Sequence, residues 1–490
     1  MKNNTLKEDW IELQYKDVVD KIPTSKQKLK QKDYLKDGKI AVVDQGQSTI
    51  GGYTNDDSKI LVCKLPVIVF GDHTKIVKII RFPFAPGADG TKVLQPKEFV
   101  NAKLLAFFTK ILVHKISDKG YARHYQHIEK QAIKLPPLPE QRAIVAKIEE
   151  LFSSLDSGIA DLKKAQQQLV TYRHSVLKSA FEGNLTKAWR YKNPYTMDVF
   201  LTKLIKGKEQ AIKSKSISNG KYFPKFEDDE LTYKVPNNWL SLPWKTITCN
   251  NKYALKRGPF GSALTKSFFV EKGVVVYEQG HAINDDPYRH RYFVTDAKFE
   301  ELKAFKAQAG DMIVSCSGAT LGRICLLPDD ADVGIINQAL LKIDLDEKII
   351  LKKFFVMLFR SETFQRLIFT KALGSAMPNM VGMAELKEIP IPIPSIEEQR
   401  QIVQEIESRL SVCEKVEESI VESLEKSKAL RQSILKKAFE GKLLSEQELA
   451  ACKSASDYEP SSVLLKRIKA EKATGVKKAA VSKKRVKEKK

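Results

Sequence analysis

Two stretches decide the architecture: EQRAIVAKIEE at residues 140–150 and EQRQIVQEIES at residues 398–408. Glu140, Gln141, Arg142, Ile144, Val145, Ile148 and Glu149 recur as Glu398, Gln399, Arg400, Ile402, Val403, Ile406 and Glu407, at an offset of 258 residues. The offset runs on without a gap. It carries Arg173 onto Arg431, and Ala180, Phe181, Glu182 and Gly183 onto Ala438, Phe439, Glu440 and Gly441. Chance or shared composition does not readily hold one register over so long a span, so the chain is a tandem repeat, and that governs every later reading.

Both copies are helical by pattern. Ile144, Ile148, Leu151, Leu155, Leu162, Ala165, Leu169, Tyr172 and Val176 follow heptad spacing broken only by Gly158. In the second copy Ile402, Ile406, Cys413, Val416, Ile420, Leu430 and Ile434 keep the seam, whereas Arg409, Ser423 and Ser427 interrupt it and Val403, Leu410 and Leu424 lie beside it. Pro139 opens one helix, Ser395 with Glu398 has capping-box spacing before the other, and Gly183 and Gly441 stand where helices stop. Such a helix runs about 60 Å at ~1.5 Å per residue, longer than one globular domain needs, and reads as a spacer. Two like units packed about a pseudo-two-fold axis perpendicular to the helices make them antiparallel, each seam covering the other, with the globular domains at opposite ends. The alternative is that each helix is merely the last helix of its own domain.

Composition narrows the function classes. A chain of 490 residues holds more than one core, because single cores stop growing near roughly 250–300 residues. Apolar residues make up 42% and charged residues 29%, ordinary globular values, so most of the chain is expected to fold. Lys and Arg outnumber Asp and Glu by 83 to 60, a net charge of +23 that favours a polyanionic partner. Residues 1–10 lack the apolar core of a signal peptide, and no stretch approaches the ~18 apolar residues of a membrane span, so a cytoplasmic protein without membrane association is expected. Cys63, Cys249, Cys316, Cys325, Cys413 and Cys452 form no CxxC pair and read as buried or idle thiols.

Ahead of each helix the elements come in a similar order, giving an α+β class. Strand-type runs at 40–43, 67–70 and 76–82 match runs at 274–277, 312–315 and 323–327. An apolar helix follows, with Leu104, Leu105, Phe107, Phe108, Ile111 and Leu112 in one copy and Phe354, Phe355, Met357, Leu358, Phe364 and Leu367 in the other. Pro136, Pro137 and Pro139, or Pro390, Pro392 and Pro394, then form stiff extended approaches to the spacer. Outside this frame the two domains share little, as two readers of different ligands would. Their loops hold amides, hydroxyls, imidazoles and cations, the groups that bond base edges and phosphates. The candidates are Gln45, Gln47, Ser48, His73, Thr74, Lys75, Arg123 and His124 in the first domain. In the second they are Lys256, Arg257, Ser262, Lys266, Gln279, His281, Arg289, Arg291, Ser317, Arg323 and Asn379. For any one of them, simple solvation is the competing reading.

These features resemble the specificity subunits of type I restriction-modification systems. The likeness covers nearly the whole chain and rests on the proline-rich approach ending in EQR (135–142 and 389–400), the heptad helix closed by AFEG (180–183 and 438–441), and the pieces at 42–53, 71–74, 258–262 and 374–380. It implies a target recognition domain at 1–139, a spacer helix at 140–190, a linker at 191–230, a second target recognition domain at 231–396, a second spacer helix at 397–446 and a basic, disordered tail at 447–490. It also implies that each domain reads one half of a split asymmetric site in double-stranded DNA. Two methyltransferase subunits using S-adenosylmethionine would dock on the spacer, with motor-nuclease restriction subunits using ATP and magnesium; this chain would bind none of those cofactors. The first domain departs from the pattern: it is shorter and its version of the 258–262 loop is less obvious. The tail from Lys466 is nearly all basic and suits non-specific phosphate attraction or solubility.

Enzyme readings find little support. Asn193, Pro194 and Tyr195 lack the second proline of an NPPY motif, and no GxxxxGK[ST] loop occurs. Pro328, Asp329, Asp346 and Lys348 imitate a magnesium nuclease, yet charged turns beside a strand and a helix explain them as well. The seven His show no spaced ligand set, and His73, His124 and His281 read as loop hydrogen-bonders. Three functions therefore stand: a non-catalytic DNA specificity subunit, a coiled-coil scaffold with loose DNA association, and a stand-alone nuclease using Asp329 and Asp346.

Overall fold

A computed structural model describes residues 9–87, 89–114, 116, 123–227, 231, 234–318, 320–370 and 379–470. The chain forms two compact units, one of residues 1–163 with 421–490 and the other of residues 164–420. Each contains one globular domain and half of each long helix.

In the first unit, the strand Ile11–Gln14 pairs antiparallel with Ala132–Leu135, tying the start of the domain to the approach of the long helix. Four strands in the order Val19–Ile22, Thr91–Pro96, Val67–Gly71 and Val77–Ile80 form an antiparallel sheet. Its inner strand Val67–Gly71 is buried along its whole length, which is why it reads as an unbroken apolar run. A second sheet sets Ile40–Val43 antiparallel to Gly52–Thr54 and parallel to Phe84–Pro86. The helix Ala102–His114 buries Leu104, Leu105, Phe108 and Leu112, one face of a helical period.

The second unit repeats this plan. Leu240–Pro243 pairs antiparallel with Pro390–Ile393. The four-stranded sheet runs Leu255–Arg257, Leu340–Ile343, Met312–Ser315, Ile324–Leu326. In the other sheet Val274–Tyr277 lies antiparallel to Phe293–Val294 and parallel to Gly334–Ile336, and an added edge strand, Lys306–Ala307, flanks the latter. The apolar helix is split into Lys352–Arg360 and Glu362–Ile368 at Ser361, whose hydroxyl accepts from the Phe364 N–H. Phe355, Phe359 and Phe364 surround the fully buried Trp244 there.

The long helices are Leu138–Phe181 and Ile396–Phe439, 44 residues each and bounded at the same 258-residue offset. Their anchoring repeats atom by atom. Gln141 donates to the carbonyls of Pro136 and Phe99 and accepts from the Asn101 N–H, while Gln399 donates to Pro394 and Ile349 and accepts from Leu351. Trp10 donates to Glu140 as Trp239 donates to Glu398, both at 3.0 Å. Lys103 pairs with Glu149 as Lys353 pairs with Glu407. At the far ends Gly183 and Gly441 adopt φ of +71° and +72°, and the next residue's N–H returns to Ser179 or Lys437, which closes each helix with a left-handed cap.

In the first unit Ile144 and Ile148, from the start of the first helix, share a core with Ile434 and Ala438 from the end of the second, and Arg431 reaches Asp156. In the second unit Val176 and Ala180 share a core with Ile402 and Ile406, and Arg173 pairs with Glu417. The helices are therefore antiparallel in both. Of the expected seam, Ile148, Val176, Ile406, Cys413, Ile420 and Ile434 are buried, whereas Leu155, Leu162 and Leu169 are half-buried, as a two-helix contact without a third layer covers only one side. Tyr172, Val416 and Leu430 are exposed and fall outside the seam, while Ser423, Leu424 and Ser427 lie half-buried. A straight helix drifts by ~20° per heptad from a strict seven-residue stripe, so a seam extrapolated along the helix loses register.

The segment expected to be a disordered tail from 447 is folded as far as residue 470. Ser445 and Glu448 form a capping box on the helix Glu446–Lys453, and Leu464 and Ile468 on a further helix over 461–470 enter the core that holds Trp10. Lysine-rich composition concealed that apolar pair, since lysines occupy the opposite face. Residues 471–490 lie outside the described set. The expected linker likewise contains a helix, Asp198–Lys213, whose Phe200 and Leu204 pack on the second unit's core.

Candidate nucleic-acid interface

In the first domain the loops gather where strands end. Lys78 sits on the inner face of its strand with Ile80, and its ammonium donates to the carbonyls of Asp44 (2.8 Å) and Ser48 (2.5 Å), 3.7 Å from the Asp44 carboxylate. Burial pulls its pKa down, while the Asp44 charge opposes that shift. The ammonium thus pins the 44–48 loop from beneath. Gln45 donates to Asp89 O and accepts from the His73 N–H, and the Thr74 hydroxyl donates to Gln45 O. Asp72 accepts from the Tyr125 N–H and pairs with Lys92 at 3.3 Å, and His124 Nδ1 lies 2.9 Å from Asp72 O.

In the second domain Gln279 donates to the carbonyl (2.7 Å) and hydroxyl (3.1 Å) of Ser317. The placement matches the first domain. Gln45 and Gln279 each stand two residues past the strand that runs parallel to a neighbour, and His73 and Ser317 each stand two residues past the central strand of the other sheet. His281 is buried, its Nδ1 lies 3.0 Å from the Glu278 backbone nitrogen and 3.2 Å from the Glu278 carbonyl, and burial lowers its pKa. Arg291 pairs with Glu278 at 3.4 Å and donates to the Tyr292 hydroxyl. The Lys256 ammonium lies 5.1 Å from the Phe305 ring centre.

The candidates thus divide into two groups. Gln45 and Gln279 were expected to reach bases but bond the scaffold, and His124 and His281, candidates also read as loop hydrogen-bonders, are buried and bond backbone, so all four position loops. Gln47, Ser48, Thr74 and Arg123 in the first domain, and Ser262, Lys266, Arg289, Arg291 and Arg323 in the second, are exposed and available to phosphates or base edges. His73, Lys75, Arg257 and Ser317 are half-buried between these groups. Ser262 and Lys266 stand on two short turns, Gly261–Ala263 and Lys266–Phe268. The Asn379 side chain lies outside the described residues. Sequence reasoning passed over Lys78 and Asp72. The signal for Lys78 was its two-residue spacing from Ile80 in an alternating strand. Asp346 accepts from the Lys348 N–H in a turn, and among the described residues no group of three or more His, Cys, Asp or Glu could hold a metal ion. No helix among them is long and apolar enough to cross a membrane.

Comparison with known proteins gives the same picture at the level of the whole chain. A family model for the type I restriction modification DNA specificity domain matches residues 7–169 and 190–426. The EcoBI type I restriction enzyme specificity subunit of Escherichia coli is 28% identical over 349 residues, 71% of this chain and 66% of that subunit, so the match spans just under two thirds of its length. The EcoDI specificity subunit of E. coli is 23% identical over 418 residues, covering 80% of this chain and 81% of that one. Among solved structures, the HsdS subunit from Thermoanaerobacter tengcongensis superposes with a TM-score of 0.52 at 17% identity, over 90% of this chain and 98% of that one. A chain from work on the complex assembly and conformational transition of the type I R-M system gives a TM-score of 0.58 at 16% identity, over 90% of this chain and all of that one. With two matched segments spanning most of its length, the chain belongs to the family of type I restriction modification DNA specificity domains.

Proposed function

We propose that this chain is the DNA specificity subunit of a type I restriction-modification complex, each domain reading one half of a bipartite, asymmetric site. The observation that carries the reading is a pair of domains with one topology and one loop-bridging glutamine position, yet different exposed side chains on the loops. Equal scaffolds with unequal loops suit two base sequences held by one frame. Affinity comes mainly from Lys and Arg on phosphates and falls with salt; discrimination comes from a few base contacts, each worth about 1–3 kcal/mol.

In this reading the chain does no chemistry. Two methyltransferase subunits dock on the spacer helices and carry S-adenosylmethionine, restriction subunits carry ATP and magnesium, and the complex works in the cytoplasm. The test is to map methylated positions in cells that hold this chain with its methyltransferase partner, then repeat with loops 44–48 and 72–75 replaced. One split motif is expected, with only one half altered by the replacement. Removing a heptad from both long helices should change the accepted gap and leave the half-sites alone. A scaffold would yield no motif, and cleavage by the purified chain with magnesium, lost in Asp346→Ala, would favour the nuclease.

A further inference from the structure

Phe260 is 85% exposed, the most exposed phenylalanine among the described residues. It stands on a short loop that leaves the edge strand Leu255–Arg257, and the backbone around it is held firmly. The Gly258 N–H continues the sheet by donating to Leu340 O at 2.9 Å. A Cβ at Gly258 would lie 1.8 Å from Asn337 O, so only glycine passes there. Pro259 is buried, Phe260 is extended at φ −80° and ψ 141°, its carbonyl accepts from the Ala263 N–H, and Gly261 follows at φ +44°. The ring is thus presented on a stiff support.

The surroundings indicate what meets it. The loop abuts Asn337, whose N–H bonds Tyr277 O, two residues before Gln279, while Ala339 O accepts from Cys316, one residue before Ser317. Phe260 therefore belongs to the end of the domain that carries the candidate interface. Lys256, Arg257 and Lys266 flank it in sequence. An exposed ring with cations beside it in sequence is not the broad apolar patch that docks a protein. It suits a polyanion that also offers flat π faces. In the first domain the corresponding edge strand, Val19–Ile22, leads instead into Pro23, Thr24, Ser25 and Lys26, with no aromatic residue.

We propose that Phe260 is an apolar wedge that enters one base step of the half-site read by the second domain and stacks on the base it displaces. The proposal rests on the DNA-reading assignment above. It makes the two halves mechanically unequal, with a wedge-opened step in one and none in the other. Preorganisation of the loop limits the ordering cost of insertion.

The test uses the full chain with its methyltransferase subunits and duplexes of the mapped site carrying 2-aminopurine at successive positions in each half. Besides any signal from adenines that the methyltransferase subunits flip out of the stack, fluorescence should rise at one further step, in the second domain's half-site only. Phe260→Ala should abolish that rise and weaken binding about tenfold to a hundredfold, with the salt slope unchanged because no cation is removed. Phe260→Trp should keep both, and because the ring lies in water either variant is expected to fold. Unchanged affinity and fluorescence in Phe260→Ala would overturn the wedge. So would a loss of affinity reproduced by removing a thymine methyl without any fluorescence change, or a defect only in binding the methyltransferase subunits. Failure of the wild-type chain to select any motif would instead overturn the underlying assignment.

Discussion

Glu398 offers the sharpest test of how the repeat is held together. Its carboxylate is fully buried and accepts from four donors: the Thr186 hydroxyl at 2.6 Å and Arg190 on one oxygen, the Tyr195 hydroxyl and the Trp239 indole at 3.0 Å on the other. Arg190 is itself only 16% exposed, so the pair is largely shielded from solvent. Changing Glu398 to Gln keeps the shape but turns one oxygen into an amide that faces two donors. Each orphaned donor costs about 1–3 kcal/mol. Arg190 also loses its counter-charge, and breaking a buried pair from one side costs about 3–5 kcal/mol, so we expect the second unit to lose that amount. Guanidinium unfolding of the full chain followed by tryptophan fluorescence would measure it, because Trp239 and Trp244 both lie in this unit's core. A loss below about 1 kcal/mol would mean that the cluster is wetter than its geometry implies and would refute the reasoning.

The other expectations concern separate parts of the molecule. Lys78→Met should free the 44–48 loop, seen as faster amide exchange over 44–52 and weaker selection of the first domain's half-site with the second half unaffected; unchanged exchange would refute the pinning role. Burial raises the Asp311 carboxyl to about 6, so the fold favours its neutral form. That stabilisation is present below the unfolded value near 4 and is lost as pH rises through about 6. Asp311→Asn should accordingly be neutral at pH 3 and stabilising by up to roughly 3 kcal/mol at pH 7; equal gains at both would contradict the assignment. Leu464→Ala should cost the first unit about 2–4 kcal/mol, whereas Asp457→Asn, which breaks a half-exposed bidentate pair with Arg142, should cost less than about 1 kcal/mol. Similar losses in the two variants, by urea unfolding, would show that the C-terminal segment is held by charge rather than by its apolar contacts.

Residues alone determined the repeat, both long helices and their glycine stops, because heptad spacing, proline starts and glycine stops act through neighbours a few positions apart; the capping box expected of Ser395 and Glu398 forms only by half, since the Ser395 hydroxyl accepts from the Glu398 N–H while the Ser395 N–H bonds Tyr195. Val274–Tyr277, Met312–Ser315 and Ile40–Val43 were legible as strands for the same reason: their apolar runs are local. Which strand pairs with which was not legible. The parallel match of Ile40–Val43 with Phe84–Pro86 spans some forty residues that no local pattern records. The candidate site was legible as a set of loops but not as a set of contacts. Gln45 and Gln279 look like base readers because an amide can bond adenine, and only the tertiary structure turned them onto Asp89 and Ser317. A polar side chain bonds whatever lies within about 3 Å, and what lies there is decided by distant segments folding together. The same holds for the C-terminal stretch, where composition suggested a solvated tail and the core around Trp10 claimed Leu464 and Ile468.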